Sequence, residues 1–270
     1  MQELTPEQRA AKAADDYTNV LIKGTQYSGN TEPGKKIFSV SSLGAEPLQN
    51  WLKYKYGTSE KPAFTASTIG TIYQLGCDQA VDIYNKSNPE GDLIPKPRWE
   101  SALRIKRELP NGWVVSGEMD HLDHELKVII DNKVISGYAH KEIMKNLKDH
   151  DYNLQQAGYR WLLYPTYGEY EAILSIVNKG GAVIRNDIYT TLHLNTYSIE
   201  EIEEAFISAT DNLQFYIDND IAPEQCDIFK YGKTKDMPNR CALYCSHNHH
   251  CPHYSPFKKE KDIISRLSVV

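Results

Sequence analysis

Hydrophobic positions recur at helical spacing from residue 67 to residue 86, where Ile69, Ile72, Leu75, Ala80 and Ile83 form a stripe behind a capping Ser67. The pattern predicts a helix with that stripe buried. Residues 88 to 97 hold three prolines and a glycine and read as a connection. The period then shortens. Residues 99 to 108, 113 to 119 and 126 to 135 read as strands, with WVVSGEM and LKVIIDNKVI carrying the β-branched side chains that suit a pleated surface, and His121 to Glu125 as the hairpin turn between the last two. Helical spacing returns near residue 139 and ends at Pro165, with a break expected at Asp149 to Asp151. Leu154, Ala157, Trp161 and Leu162 are its inward positions. Residues 170 to 178 and 186 to 195 read as further strands. Ser198 with Glu201 forms a capping box for a helix to about residue 219, its buried face made by Ile202, Ala205, Phe206, Ala209 and Leu213. Thr5, Pro6 and Glu7 look like a helix start, and residues 23 to 36 like a loop. Helix, three strands, helix, strand predicts an α/β sandwich around a mixed central sheet flanked by helices.

The 270 residues allow one sizeable domain with a small appendage. No apolar run approaches the roughly 18 residues of a membrane span, and the polar N-terminus lacks the apolar stretch of a signal peptide, so a cytoplasmic location with no membrane partner is expected. A net charge of −6 argues against a broad positive surface for duplex DNA but leaves room for a local basic groove. Arg98, Arg104, Lys106 and Arg107 form one basic cluster, and Lys141, Lys145 and Lys148 another; the competing reading of both is a solvated face.

The chemistry concentrates in the predicted hairpin. Asp120 ends the strand of SGEMD, and Asp131 and Lys133, two apart in VIIDNKV, share one strand face. Two carboxylates on adjacent strand ends can hold a divalent cation through oxygen. Such a cation polarises a phosphate and acidifies bound water, and a lysine beside it steadies developing negative charge. A D-x-K alone is more often a solvated hairpin, but here it follows the apolar run Val128, Ile129, Ile130. On the next helix Gln155 and Tyr159 are four apart and share a face, able to hydrogen-bond the lysine, a phosphate or a base.

G-x-x-D at Gly117 to Asp120, D-x-K at Asp131 to Lys133 and Q-x-x-x-Y at Gln155 to Tyr159 together resemble the RecB-like branch of the PD-(D/E)XK nucleases. The resemblance covers roughly residues 38 to 165; SVSSLGAEPLQNWLKYKYG is similar to the segment that opens the family's core, and IGTIYQ to its first motif. It implies a restriction-endonuclease-like core over residues 1 to 220 and metal-dependent cleavage of DNA, commonly single-stranded or at ends, in recombination or replication. Magnesium or manganese would sit on Asp120 and Asp131, with the Asn132 carbonyl as a further ligand. Lys133 would activate water, and Gln155 and Tyr159 would organise the site and contact DNA. The compact composition suits a phage-encoded enzyme, with replication or recombination proteins as partners. The family's first motif carries a histidine four residues after a glycine, whereas here Gly70 is followed by Gln74. An amide oxygen can ligate a hard cation but lacks the basicity of imidazole, so a weaker cation site is expected. A catalytically silent DNA-binding protein and a structure-specific endonuclease are the rival readings.

Four of the five cysteines crowd the last 45 residues: Cys226, then Cys241, Cys245 and Cys251 in C-x3-C-x5-C. Four thiolates can close a zinc site or hold an iron–sulfur cluster, and His247, His249, His250 and His253 stand nearby. The tail is similar to that of AddB-type nucleases and CRISPR-adaptation exonucleases, in which three C-terminal cysteines and one near the N-terminus bind a [4Fe–4S] cluster. Glu46 stands at the matching N-terminal position, so Cys226 is expected as the fourth ligand, with Cys77 as runner-up. Residues 221 to 270 are thus expected to form a cysteine-rich, metal-binding cap.

Overall fold

The structure is a computed structural model. It describes residues 32–57, 66–87, 98–145, 150–179, 189–194, 197–227, 233–234, 237–238, 240–241, 245 and 247–254. The expected helix start at Thr5, most of the loop from residue 23, the connection at 88 to 97 and Lys148 lie outside them.

Strand β1 (Ile37–Ser39) leads through a 3-10 turn (Val40–Ser42) into helix α1 (Pro47–Tyr56). Helix α2 (Ala66–Ser87) follows, then β2 (Trp99–Glu108), β3 (Val114–Asp123) and β4 (Val128–Ile135). Helices α3 (Gly137–Lys145) and α4 (Asp151–Tyr167) cross over to β5 (Glu171–Asn178), β6 (Tyr189–His193) and helix α5 (Ile199–Asp218). A small ribbon, β7 (Lys233–Thr234) with β8 (Met237–Pro238), precedes the last cysteines. The core order of helix, three antiparallel strands, helix and parallel strand is the α/β architecture the sequence predicts, with a mixed six-stranded sheet.

Strand β2 pairs with β3 from Trp99↔Asp123 to Glu108↔Val114, with a break at Ala102. The other edge of β3 is therefore shared. β1 takes Val114 to Ser116 in parallel, and β4 takes His121 to Asp123 in antiparallel. Residues 117 to 120 fall in the fork between them. Gly117 lies there because α4 and the 3-10 turn come close: a Cβ at this position would meet Leu162 at 2.8 Å, Val40 at 2.9 Å and Tyr159 at 3.0 Å. Met119 and Leu122 both enter the main core although three residues apart on a strand, so β3 twists between them, opposite Ala102 at φ 55°.

The core sits between the sheet and the α4–α5 layer. Trp161, Leu162, Leu163, Phe206 and Ile202 pack on Val115, Met119, Leu122, Ile129 and Ala172, all buried. The capping box at Ser198 and Glu201 is formed in both directions. The break near residue 150 is real, with His150 capping α4. That helix runs past Pro165 to Tyr167, beyond the predicted end. Proline has no N–H for the Trp161 carbonyl four residues back. Arg107 of β2 supplies the donor, its Nη1 standing 3.1 Å from that oxygen while its guanidinium lies 4.0 Å over the Trp161 ring. Glu203 of α5 accepts from both Arg107 and the Trp161 indole.

Two expectations are corrected. The hairpin turn is His124 to Lys127, not His121 to Glu125, so Asp120 lies inside β3 rather than at its end. Asp123 causes the shift: its carboxylate accepts from the N–H groups of Glu125 and Leu126 and pairs with Arg98. The α2 stripe is not buried either. Ile69, Ile72, Leu75 and Ile83 are each between 38% and 55% exposed. The helix turns its mixed face, with Gln74, Asp78 and Asn85, towards the sheet, where those polar groups find Asn132, His121 and the Trp99 carbonyl.

Candidate active site

Asp120, Asp131 and Lys133 meet at the fork in β3. The β3–β4 ladder stops at His121↔Ile130. Past it, the Asp120 carboxylate takes over from the backbone and accepts from the Asn132 N–H at 2.7 Å. Asp131 is 1% exposed and ion-paired to Lys133 two residues on, while both stay in register with β5 at Leu174 and Ile176. Tyr152, in the first turn of α4, holds its ring 5.4 Å from the Lys133 ammonium.

The electrostatics follow from three charged groups sharing little water. Burial, then the Asp131 carboxylate beside it, push the Asp120 carboxyl up to about 7, against the pull of Lys133 and the Asn132 N–H. Burial works against the Lys133 charge, but Asp131 and Asp120 outweigh it and hold the ammonium above its ordinary value. Two carboxylates beside one ammonium offer oxygen ligands to a divalent cation.

Gln155 and Tyr159 do share a face, the Gln155 amide donating to the Tyr159 hydroxyl at 2.8 Å. Tyr159 itself is buried against Gly117 in the fork. Gln74 reaches the same neighbourhood from α2, but its oxygen accepts from the Asn132 side chain at 3.1 Å and its nitrogen donates to Asp78 at 2.9 Å. Asp78 and His121 are two residues sequence reasoning missed. Asp78 is one helical turn beyond Gln74, a spacing that could have exposed it. Its carboxylate lies 3.8 Å from His121 Nδ1, which also faces Ser101 Oγ at 3.0 Å. Burial raises the Asp78 carboxyl, with His121 and Gln74 pulling the other way. Cys77 belongs to this neighbourhood rather than to the C-terminal thiols; burial raises its thiol, and the fields of Asp78 and Asp120 add to it.

The first basic cluster is largely neutralised. Arg98 pairs with Asp123 and Glu125, Arg104 with Glu118, and Arg107 with Glu203. In the second, Lys145 pairs with Glu142 and Lys141 is exposed.

Cys226, Cys241, Cys245 and Cys251 line one small pocket, floored by Leu48, Gln49 and Leu52 of α1. Burial, with the other thiols adding, pushes Cys226 and Cys241 up to about 11. Arg240 clamps the tail to α1, bonding Glu46 at 2.9 Å and Gln49 at 3.2 Å. Among the described residues no three Cys, His, Asp or Glu side chains converge at single-ion spacing; the thiols ring a space instead.

No family model matches the chain, and no curated protein does. Among solved structures it is similar to the crystal structure of SSO0001, at 16% identity and a TM-score of 0.52, covering 87% of this chain and 96% of that one. That likeness concerns the fold. An alkaline exonuclease (LHK-Exo) from Laribacter hongkongensis aligns at 14% identity and a TM-score of 0.39, covering 69% of this chain and 92% of that chain. A phage-related exonuclease from Haemophilus somnus 129PT aligns at 16% identity and a TM-score of 0.33, covering 81% and 90%. Among the described residues no helix is long and apolar enough to cross a membrane.

Proposed function

We propose that the chain is a divalent-cation-dependent deoxyribonuclease that hydrolyses phosphodiester bonds, acting on single-stranded DNA ends in recombination or replication. The observation that carries the reading is the Asp120–Asp131–Lys133 cluster in the fork of β3, where burial and a neighbouring carboxylate push Asp120 up to about 7. Asp120 and Asp131 would hold the cation, with the Asn132 carbonyl, next to Asp131 on β4, as a further ligand. A bound magnesium or manganese supplies Lewis acidity and a water acidic enough to attack at neutral pH. Lys133 holds a positive charge against Asp131 and offers it to the phosphate as negative charge develops. Tyr152 shields that ammonium, and the Gln155–Tyr159 pair fixes the face of α4 that borders the fork.

Labelled linear single-stranded DNA incubated with manganese should be degraded, and Asp131→Ala should abolish the degradation. A circle of the same sequence should resist; cleavage of the circle would favour a structure-specific endonuclease. One observation supports a second reading, a silent DNA-binding scaffold: the Gln74 oxygen is engaged by Asn132. Strand binding without degradation in any divalent cation would select it.

The four C-terminal thiols fit a structural metal group. A zinc ion needs four ligands about 2.0–2.3 Å from one point. Four thiols lining one small pocket suit either a zinc ion or a [4Fe–4S] cluster. Cys226, Cys241, Cys245 and Cys251 would hold it and so fasten the tail onto α1.

A further inference from the structure

On the β1 arm of the fork, the opening segment gathers hydroxyls around one lysine. Lys53 of α1 donates to Ser39 Oγ at 2.9 Å and to Ser42 Oγ at 3.4 Å. Ser39 Oγ lies 2.5 Å from Ser42 Oγ and 3.4 Å from Ser41 Oγ. Among the described residues no carboxylate pairs with Lys53. In the tail, burial, then His250 and Lys53, push His247 down to about 4. Burial also pulls the Lys53 ammonium below its ordinary value. A small pocket that Ser42, Asn50 and Lys53 share with apolar side chains adjoins the group.

A largely buried ammonium without a counterion is costly, and a lysine that only pins two elements together does better with a carboxylate. The serine hydroxyls can turn to donate as well as accept, so the cluster offers several donors to one oxyanion. A second feature lies three residues along α1. Tyr56 is 41% exposed and stacks on His250, with 4.1 Å between centroids and 10° between planes. An exposed stacked pair next to a cationic donor cluster is the equipment that tracks a single strand, backbone on one side and base on the other.

We propose that Lys53, Ser39 and Ser42 bind a backbone phosphate of a single DNA strand, with Tyr56 presenting its ring to an adjacent base. The inference rests on the nucleic-acid part of the function proposed above. Phosphate oxygens accept from the Lys53 ammonium and the two hydroxyls, and the ammonium gains the anion it lacks.

The test is strand binding without cleavage. Full-length protein in EDTA is titrated into fluorescently labelled oligo(dT) at several sodium chloride concentrations, with anisotropy as readout. Losing one phosphate contact should lower the log–log salt slope by about 0.7. Lys53→Met should show that drop, and Lys53→Arg should keep the parent slope. Ser39→Ala with Ser42→Ala should weaken binding at an unchanged slope. Tyr56→Ala should weaken it by about fivefold or more, also at an unchanged slope. A Lys53→Met protein with the parent's circular dichroism, affinity and slope overturns the proposal. So does a Ser39→Ala, Ser42→Ala protein that binds as the parent does, should Lys53→Met not fold. Inorganic phosphate that stabilises the parent but not Lys53→Met, with no change in DNA slope, would assign the cluster to a free oxyanion and overturn the strand. A parent that binds with a Lys53-dependent slope yet cleaves nothing leaves this inference standing and removes the nuclease reading; a parent with no strand affinity overturns both.

Discussion

The carboxylate of Asp120 closes the β3–β4 hairpin by accepting the backbone N–H of Asn132 at 2.7 Å, one residue beyond the last ladder pair. A side chain thus stands where a main-chain carbonyl would continue the sheet. That substitution opens the fork and turns Asp131 and Lys133 towards α4, and most of the expectations below follow from it.

Asp131→Ala should remove cation-dependent cleavage. Lys133→Ala should leave cation binding intact and slow cleavage by about 10²-fold or more, the scale of losing one preorganised electrostatic group. Each single change also strands a buried charge, since Asp131 is 1% exposed, and should cost about 3–5 kcal/mol of stability. Asp131→Asn combined with Lys133→Met should recover much of that loss without activity. Parent-like cleavage by both single variants would remove these residues from the reaction.

The Asp120 carboxyl, at about 7 in the folded chain, lies well above its ordinary unfolded value near ~3.9. The folded form therefore binds the proton more tightly. Its contribution to stability is full below about pH 4 and is lost as pH rises through about 7. Metal-free protein should melt at progressively lower temperature between about pH 5 and pH 8. Saturating manganese, replacing the proton, should flatten the trend, and Asp120→Asn should flatten it without metal. An Asp120→Asn protein with the parent's slope would assign the titration elsewhere.

Gln74→His should lower the cation concentration needed for half-maximal cleavage, because imidazole is the more basic ligand. Manganese should serve the parent better than magnesium, because nitrogen and oxygen ligands bind the transition metal more tightly. Gln74→Ala releases both Asp78 and the Asn132 side chain and should raise the requirement. Cation titrations unchanged by either substitution would make Gln74 a mere link between Asp78 and Asn132.

The four C-terminal thiols should bind iron with sulfide, or zinc, in near-stoichiometric amount by elemental analysis. Stripping that metal with a chelator should lower the melting temperature, since few apolar residues support the tail. Without metal, Cys226 and Cys241 at about 11 should alkylate slowly at neutral pH. Folded, metal-free protein of undiminished stability would leave these residues as buried thiols only.

Gly117→Ala places a methyl 2.8–3.0 Å from Leu162, Val40 and Tyr159. The overpacking should cost about 1–3 kcal/mol in chemical denaturation and displace Tyr159 from Gln155. Wild-type stability would mean that the fork has slack.

Much of this was written locally in the chain. The Ser198–Glu201 box, the inward face of α4 and the D-x-K strand depend on neighbours within a few residues, and they form as the spacing requires. The hairpin turn moved because Asp123 holds two turn N–H groups and Arg98, a competition no alternation of apolar residues records. The α2 stripe misled for a related reason. Spacing reveals that a helix has two faces, not which one meets the sheet, and here the polar face goes inward to Asn132 and His121. The fork was invisible because it arises from two distant strands sharing one edge of β3. Lys53 and Asp78 gain meaning from partners outside their own helices, Ser39 and Ser42 for the one and His121 for the other.

The guanidinium of Arg107 completes a helical turn that Pro165 cannot complete alone. The Trp161 carbonyl is therefore satisfied by β2, and Glu203 of α5 holds the arginine that satisfies it. Three segments up to ninety-six residues apart thereby meet at one joint. Such a joint makes partial unfolding of α4 unprofitable, because its end cannot fray without unseating a strand and a second helix at once, and hydrogen exchange at Tyr164 to Gly168 should report the opening of the whole domain rather than of a helix tip.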